Sequence, residues 1–256
     1  MEKFKALLLV LIFGLNTQVF AQKKGDDMSN KIFNFQFTYN AQTPSGDWEK
    51  LYGLSHALGF GVNYKSQTNW LFSTEANYML SEELKNEINL YYLTNSNRYT
   101  FNTNNGTPAT VGITMRGFST FGKVGKIFPV SKYNKNHGFL LQLGVGYLIH
   151  YTNYNIPQST VVQLSNEYQK GYDRMHGGFA LNQFVGYHFQ SESRLVNFFI
   201  GVDFTQAFTK NFREFNYDTQ QFDLGSKQDN IVALRFGWMI PIYLSNKNDE
   251  FIFKAN

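Results

Sequence analysis

The sequence predicts an all-β protein, an eight-stranded antiparallel up-and-down transmembrane β-barrel. Three observations lead there. Large apolar residues recur at every second position in eight separate runs. Aromatic residues make up 18% of the chain and charged residues only 16%, whereas an ordinary soluble domain is about a quarter charged. Beyond the N-terminal segment, no run of about 18 apolar residues would cross a membrane as a helix. A chain this apolar with no such helix can enter lipid only as a closed barrel, because lipid offers no partner to unpaired backbone groups.

The chain begins with the pattern of a secretory signal peptide over residues 1–21. Lys3 and Lys5 form a basic start, and Ala6 to Leu15 form an apolar stretch too short to span a bilayer. Val19 and Ala21 then fit a small-residue cleavage site before Gln22. The chain has no cysteine. This excludes lipid attachment after the cleavage site, disulfides and thiolate metal sites. A net charge of +4 does not point to nucleic acid. Residues 22–256 are expected to form one barrel domain, with strands over about 31–243 and a short tail.

The eight runs follow in order. Residues 31–42 set Phe33, Phe35, Phe37 and Tyr39 against Asn34, Gln36, Thr38 and Asn40. Residues 54–65 set Leu58, Phe60, Val62 and Tyr64 against Ala57, Gly59, Gly61 and Asn63. Residues 70–80 set Trp70, Phe72, Ala76 and Tyr78 against Ser73, Glu75 and Asn77. The fourth run, 109–128, slips frame near Gly117, where a strand glycine marks a bulge. Residues 138–151 oppose Phe139, Leu141, Leu143, Val145 and Tyr147 to Gln142, Gly144 and Gly146. Residues 178–190 oppose Phe179, Leu181, Val185, Tyr187 and Phe189 to Ala180, Asn182, Gly186 and His188. Residues 196–209 oppose Phe198, Ile200, Val202 and Phe204 to Asn197, Gly201, Asp203 and Thr205. Residues 230–243 oppose Val232, Leu234, Phe236, Trp238 and Ile240 to Ala233, Arg235 and Gly237.

The connections alternate in length. Residues 66–69, 129–137 and 191–195 are short; 43–53, 81–108, 152–176 and 211–229 are longer. Transmembrane barrels pair short periplasmic turns with long external loops in this way. The strand faces separate a membrane barrel from a soluble one. A soluble barrel would need roughly forty large side chains in its lumen, and an eight-stranded lumen is only just wide enough to be filled by side chains. The small and polar face therefore points inward and the large apolar face outward. A two-sheet sandwich is the competing arrangement, but its outer face should carry more Lys and Glu than these strands do.

With this pattern the chain resembles the small outer-membrane barrels of the OmpA and OmpX type, over about residues 31–243. The resemblance implies an outer-membrane location, long loops outside the cell, both ends in the periplasm, and contact with outer-membrane lipid and lipopolysaccharide. It implies no cofactor.

Four charged residues fall on inward faces: Glu75, Lys123, Asp203 and Arg235. Counted from the short turns they lie within about 8 Å of one height. Either they join in one hydrogen-bonded network, as the internal set of OmpA-type barrels does, or they line a small water-filled cavity. Among the five histidines, His56 sits beside Ser55, but neighbouring strand residues point to opposite faces and cannot form a nucleophile–base pair. His150 and His188 fall on lumen faces, and His137 and His176 in connections; no local spacing marks a metal site. No catalytic set emerges.

Tyr172, Asp173 and Arg174 belong to the densest polar cluster, leading from the third long loop into the sixth strand. They are candidates for surface interaction, against a turn in which Asp173 and Arg174 pair locally. The loop aromatics Trp48, Tyr91, Tyr92, Tyr99, Phe101, Tyr151, Tyr154, Tyr168, Phe212, Phe215 and Tyr217 fit either a partner-binding rim or an extended interfacial girdle. Gln183 is a polar residue on an otherwise lipid-facing side; it lies near the outer interface or touches a partner protein. The leading functional expectation is a non-enzymatic barrel acting by structure or protein interaction, including as an accessory subunit of an outer-membrane assembly or export complex. A lipid- or lipopolysaccharide-modifying enzyme and a small-solute pore are the alternatives.

Overall fold

A computed structural model of the chain describes residues 31–85, 100–103, 105–131, 135–155, 161, 164, 166–191 and 196–244. The expected signal peptide, Tyr91, Tyr92, Tyr99 and the tail beyond residue 244 lie outside the described residues. Eight antiparallel strands close into a barrel: β1 (Ile32–Gly46), β2 (Ser55–Lys65), β3 (Trp70–Ser81), β4 (Gly112–Pro129), β5 (Gly138–Asn155), β6 (His176–Gln190), β7 (Asn197–Asn211) and β8 (Ser226–Tyr243). Each strand pairs with its sequence neighbours, and β8 closes on β1.

The register fixes the size of the barrel. Followed pair by pair from Phe37 once around the wall, the ladder arrives at Gln228 on β8, ten residues from Trp238, which faces Phe37 directly. With eight strands this offset requires a tilt of about 41° and a backbone radius of about 8 Å.

The outer wall is a belt of exposed apolar side chains. Trp70, Phe128, Phe139 and Phe198 ring the short-turn end, and Tyr78, Phe118, Tyr147, Phe179 and Phe208 ring the long-loop end. The two rings lie about 20–25 Å apart, close to the height of the apolar band of a transmembrane barrel. Leu143, Val145, Val185, Val202 and Leu234 fill the space between them, all exposed. A large apolar surface facing outward all round is stable only in lipid. This is the architecture of the small outer-membrane barrels that the strand pattern resembles.

Two expectations are corrected. The fourth strand carries no bulge: β4 alternates without a break through Gly117 and pairs continuously with β3 and β5. What changes face is the residue type. Ile113, Met115, Phe121 and Ile127 turn inward to fill the lumen, while Arg116, Thr120 and Gly122 take outward positions. Gln183 does face outward, but it is not near an interface. It is the middle residue of β6, four residues from Phe179 above and four from Tyr187 below, or about 10 Å from each ring.

The lumen is packed from end to end. Leu71, Ile127, Leu140, Phe184, Phe199 and Met239 form an apolar plug toward the short turns. Phe199 lies over Gly237, where a Cβ would sit 2.2 Å from its ring, so glycine is needed for the ring to enter. Toward the long loops, Trp48, Leu51 and Tyr52 fold back into the mouth and pack on Met79, Met115 and Leu148. The segment carrying them is tied to β8 by reciprocal bonds, Asp47 N–H to Gln228 O (3.1 Å) and Gln228 N–H to Asp47 Oδ2 (3.0 Å). That N–H and the Lys50 ammonium hold the Asp47 carboxyl below its ordinary range.

A wall with every strand paired resists detergent until it is heated. Unboiled protein in SDS should therefore migrate apart from the boiled form. Identical migration on a gel, together with recovery in the soluble fraction, would contradict the closed barrel.

Candidate functional site

Among the described residues, the carboxylates inside the wall gather in two clusters, apart from an amide-rich set around Asn34, Asn63 and Gln190 at the short-turn end. The first is at mid-height. Glu75 on β3, Lys123 on β4, Asp203 on β7 and Arg235 on β8 are all buried and converge across the lumen. Lys123 Nζ lies 2.8 Å from Glu75 Oε1 and 3.5 Å from Asp203 Oδ2. Arg235 Nη1 donates to Glu75 Oε1 and to Asp203 Oδ2, each at 2.8 Å, and Nη2 donates to Glu75 Oε2. Each cation thus touches both carboxylates. Gln36 and Asn77 donate to Glu75 at 3.3 Å, and Asn182 donates to Asp203 and, at 2.8 Å, to Thr205. The Arg235 guanidinium lies 5.9 Å and 5.3 Å from the Phe184 and Phe199 ring centres, close enough for cation–π attraction. A small cavity lies directly above, lined in part by Asn40, Asn182 and Arg235. The four side chains are thus connected to one another, and three of them also border the small cavity.

The second cluster occupies the long-loop mouth. His150 on β5 donates or accepts at Nε2 with Asp229 on β8 (3.0 Å), which also accepts from Thr209 (2.5 Å). Trp48 stacks on His150 with ring centres 4.4 Å apart, and His150 stacks on His176 at 5.5 Å. These rings share a small cleft with Asp47, Lys50, Arg174 and Lys227. His176 and Lys227 both reach Asp223 in the last long loop, at 3.3 and 2.5 Å.

The segment at 172–174 departs from both readings made of it. Asp173 and Arg174 are buried and do not pair with each other. Arg174 bonds Asp218, while Asp173 accepts from Arg213 at 2.8 and 3.2 Å. Both partners lie in the last long loop. The sequence offers no signal for this, since the partners lie some forty residues away. Tyr172 ends the short helix α1 (Asn166–Tyr172), and its ring meets Tyr217 edge-on at 5.5 Å. Gly171 gives that ring room, because a Cβ there would lie 2.1 Å from Tyr217. The four charges and the Tyr pair therefore clamp the third long loop to the fourth.

Ser55 faces inward and bonds Gln42 (3.2 Å), while His56 faces outward and bonds the Tyr39 hydroxyl (2.8 Å). His188 is buried at the short-turn end beside Gln190, and His137 stacks on Phe189. Among the described residues, no three His, Asp or Glu side chains converge on a metal position. The loop aromatics divide. Trp48 and Tyr154 are buried, and Tyr151 lies on the outer wall of β5, whereas Tyr168, Phe212 and Tyr217 are exposed. Phe222 and Leu224, which sequence reasoning did not single out, are the most exposed of the group at 72% and 67%.

No protein-family model matches the chain, and no curated protein matches it in sequence. Solved structures are similar in fold. The outer membrane protein OprG from Pseudomonas aeruginosa aligns at TM-score 0.45 and 11% identity, covering 83% of this chain and 96% of that one. Neisserial surface protein A aligns at 0.44 and 10%, covering 81% and 96%. Ail, the attachment invasion locus protein of Yersinia pestis, solved with the heparin analogue sucrose octasulfate, aligns at 0.42 and 10%, covering 82% and 99%.

The mid-lumen network makes a definite mutational expectation. Arg235→Ala leaves the buried Glu75 and Asp203 with Lys123 as the one remaining cation of the network. Removing one partner of a buried ionic set costs about 3–5 kcal/mol. Equilibrium unfolding in urea, from lipid or mild detergent, should show that loss, and a change within error of zero would contradict the network.

Proposed function

We propose that the protein is a non-enzymatic outer-membrane barrel that works through its long loops. In this reading the loops are extracellular, both chain ends are periplasmic, and the belt contacts phospholipid and lipopolysaccharide. The loops bind a protein partner, and the barrel serves either alone or as an accessory subunit of an outer-membrane assembly or export complex.

The observation that supports this reading is the contrast between a blocked lumen and a braced, apolar loop surface. Solute entering from the loops would meet the Trp48–Tyr52 cap, then the ionic network, then the Phe184–Phe199 plug. The loop surface, by contrast, exposes Phe222, Leu224, Tyr168, Phe212 and Tyr217. A short hairpin (Phe215–Asn216 with Gln221–Phe222) carries part of this group, with the Phe215 and Phe222 rings 5.0 Å apart. Apolar side chains displayed on a pre-ordered base lose little freedom on binding, and this favours protein recognition.

Two outcomes follow. Reconstituted in planar bilayers, the wild-type barrel should conduct poorly; a large, steady conductance would favour the pore reading. A photo-crosslinking residue at Phe222 or Leu224 should capture a discrete protein partner on intact cells. Capture of lipid alone, or a changed lipopolysaccharide profile in a deletion strain, would turn the reading toward a lipid-directed role.

A further inference from the structure

Gln183 poses a problem that the rest of the wall does not. Its carboxamide faces outward at mid-belt, about 10 Å from either aromatic ring, which is too far for a glutamine side chain to reach an interface. It has no hydrogen-bond partner among the described residues. Its cross-strand neighbours on the outer face are Leu143 on β5 and Phe204 on β7. The neighbouring backbone groups are already engaged in the ladder, and lipid supplies neither donor nor acceptor. Gln206, also outward, lies only two residues from the Phe208 ring, opposite Asn230; the other uncharged polar groups nearer mid-belt are threonines. Thr120 satisfies its hydroxyl by donating to the Glu75 carbonyl at 3.1 Å.

We propose that the β5–β7 face around Gln183 is an interface within the membrane, and that its occupant is a second copy of this chain. A carboxamide carries one acceptor and one donor side by side, so two of them related by a twofold axis satisfy each other with a reciprocal pair of bonds. Two copies inserted in the same sense require that axis to run along the membrane normal. The axis passing at Gln183 sets β5 of one copy against β7 of the other. Leu143, at 70% the most exposed large apolar side chain of the barrel wall, then meets Val202 of the second copy. The two residues stand at nearly the same height, since the strand pairs place each within a few residues of Gln183. The contact repeats on the other side of the axis. The centre of the face is polar and self-complementary, and its flanks are apolar. A foreign partner would have to supply both an amide-like group and that apolar outline; a second copy has them by symmetry.

The absence of native cysteine makes the test clean. Full-length Gln183→Cys, expressed in its own membrane and confirmed as folded by heat-modifiable migration, should oxidise to a covalent dimer. Phe60→Cys, which faces lipid on the opposite side of the barrel, should stay monomeric. Leu143→Cys combined with Val202→Cys should also give dimers. Gln183→Leu should fold and lose the dimer seen in mild detergent, while Gln183→Asn, which keeps the amide, should retain part of it. Cross-linking at position 183 no greater than at position 60 would overturn the proposal. So would cross-linking to a different protein, or a Gln183→Leu barrel that is simply more stable with its oligomeric state unchanged.

Discussion

Closure of eight strands with a ten-residue offset is the constraint on which the other features depend. It sets a radius of about 8 Å, and a cylinder that narrow leaves little room for solvent once side chains enter it. Every inward residue must therefore be small, or packed, or paired. Glycines and asparagines line much of the lumen, the rings of Phe121, Phe184 and Phe199 enter beside glycines, and the four charges sit where each cation reaches both carboxylates. The same closure leaves no strand edge, which is what allows the wall to sit in lipid.

The ionic network also guards that register. Strand side chains alternate, so a slip of one residue would carry the inward set of a strand to the lipid face. Slipping β8 by one would turn Arg235 into lipid and bring Phe236 and Trp238 into the lumen, against Glu75 and Asp203 left with one of their two shared cations. Buried ion pairs add little net stability compared with apolar packing, but they penalise wrong arrangements heavily. Here the penalty falls on every alternative pairing of β3, β4, β7 and β8, the strands that carry the charges.

The wall was readable because its logic is local. Period-two alternation reports burial directly, so the eight strands, their order and their faces could be taken from runs such as Phe33 to Asn40. The inward charges were readable for the same reason: parity and distance from a turn determine face and height. The reading failed where a residue's environment is set by something distant. Phe121, Phe184 and Phe199 fill inward positions that a face of small and polar residues did not foretell. The apparent slip at Gly117 came from treating inward apolar residues as a change of register. Trp48 reads as a loop aromatic, but its place in the mouth depends on the β8 backbone some 180 residues away. Arg174 and Asp218 carry no local sign that they pair.

The polar lumen also has a bearing on how such a chain reaches a membrane. A strand apolar on both faces would be a continuous hydrophobic run, prone to insert early as a helix or to aggregate in water. Alternation keeps each strand half polar and avoids both outcomes, but it leaves a large polar surface to bury once the barrel closes. Amides and hydroxyls meet most of that demand in pairs, as Asn34 with Asn63 and Asn182 with Thr205 do. Where strands carry full charges, burial is tolerable only if opposite charges arrive at one height from different strands. Glu75 and Lys123 come from one part of the sequence and Asp203 and Arg235 from another, so the set is complete only when the two halves of the barrel meet. The charges are thus harmless in the open chain and mutually satisfied in the closed one, while a half-closed barrel leaves them exposed to lipid. That difference favours the closed barrel over a half-closed one, alongside the hydrogen bonds between β8 and β1.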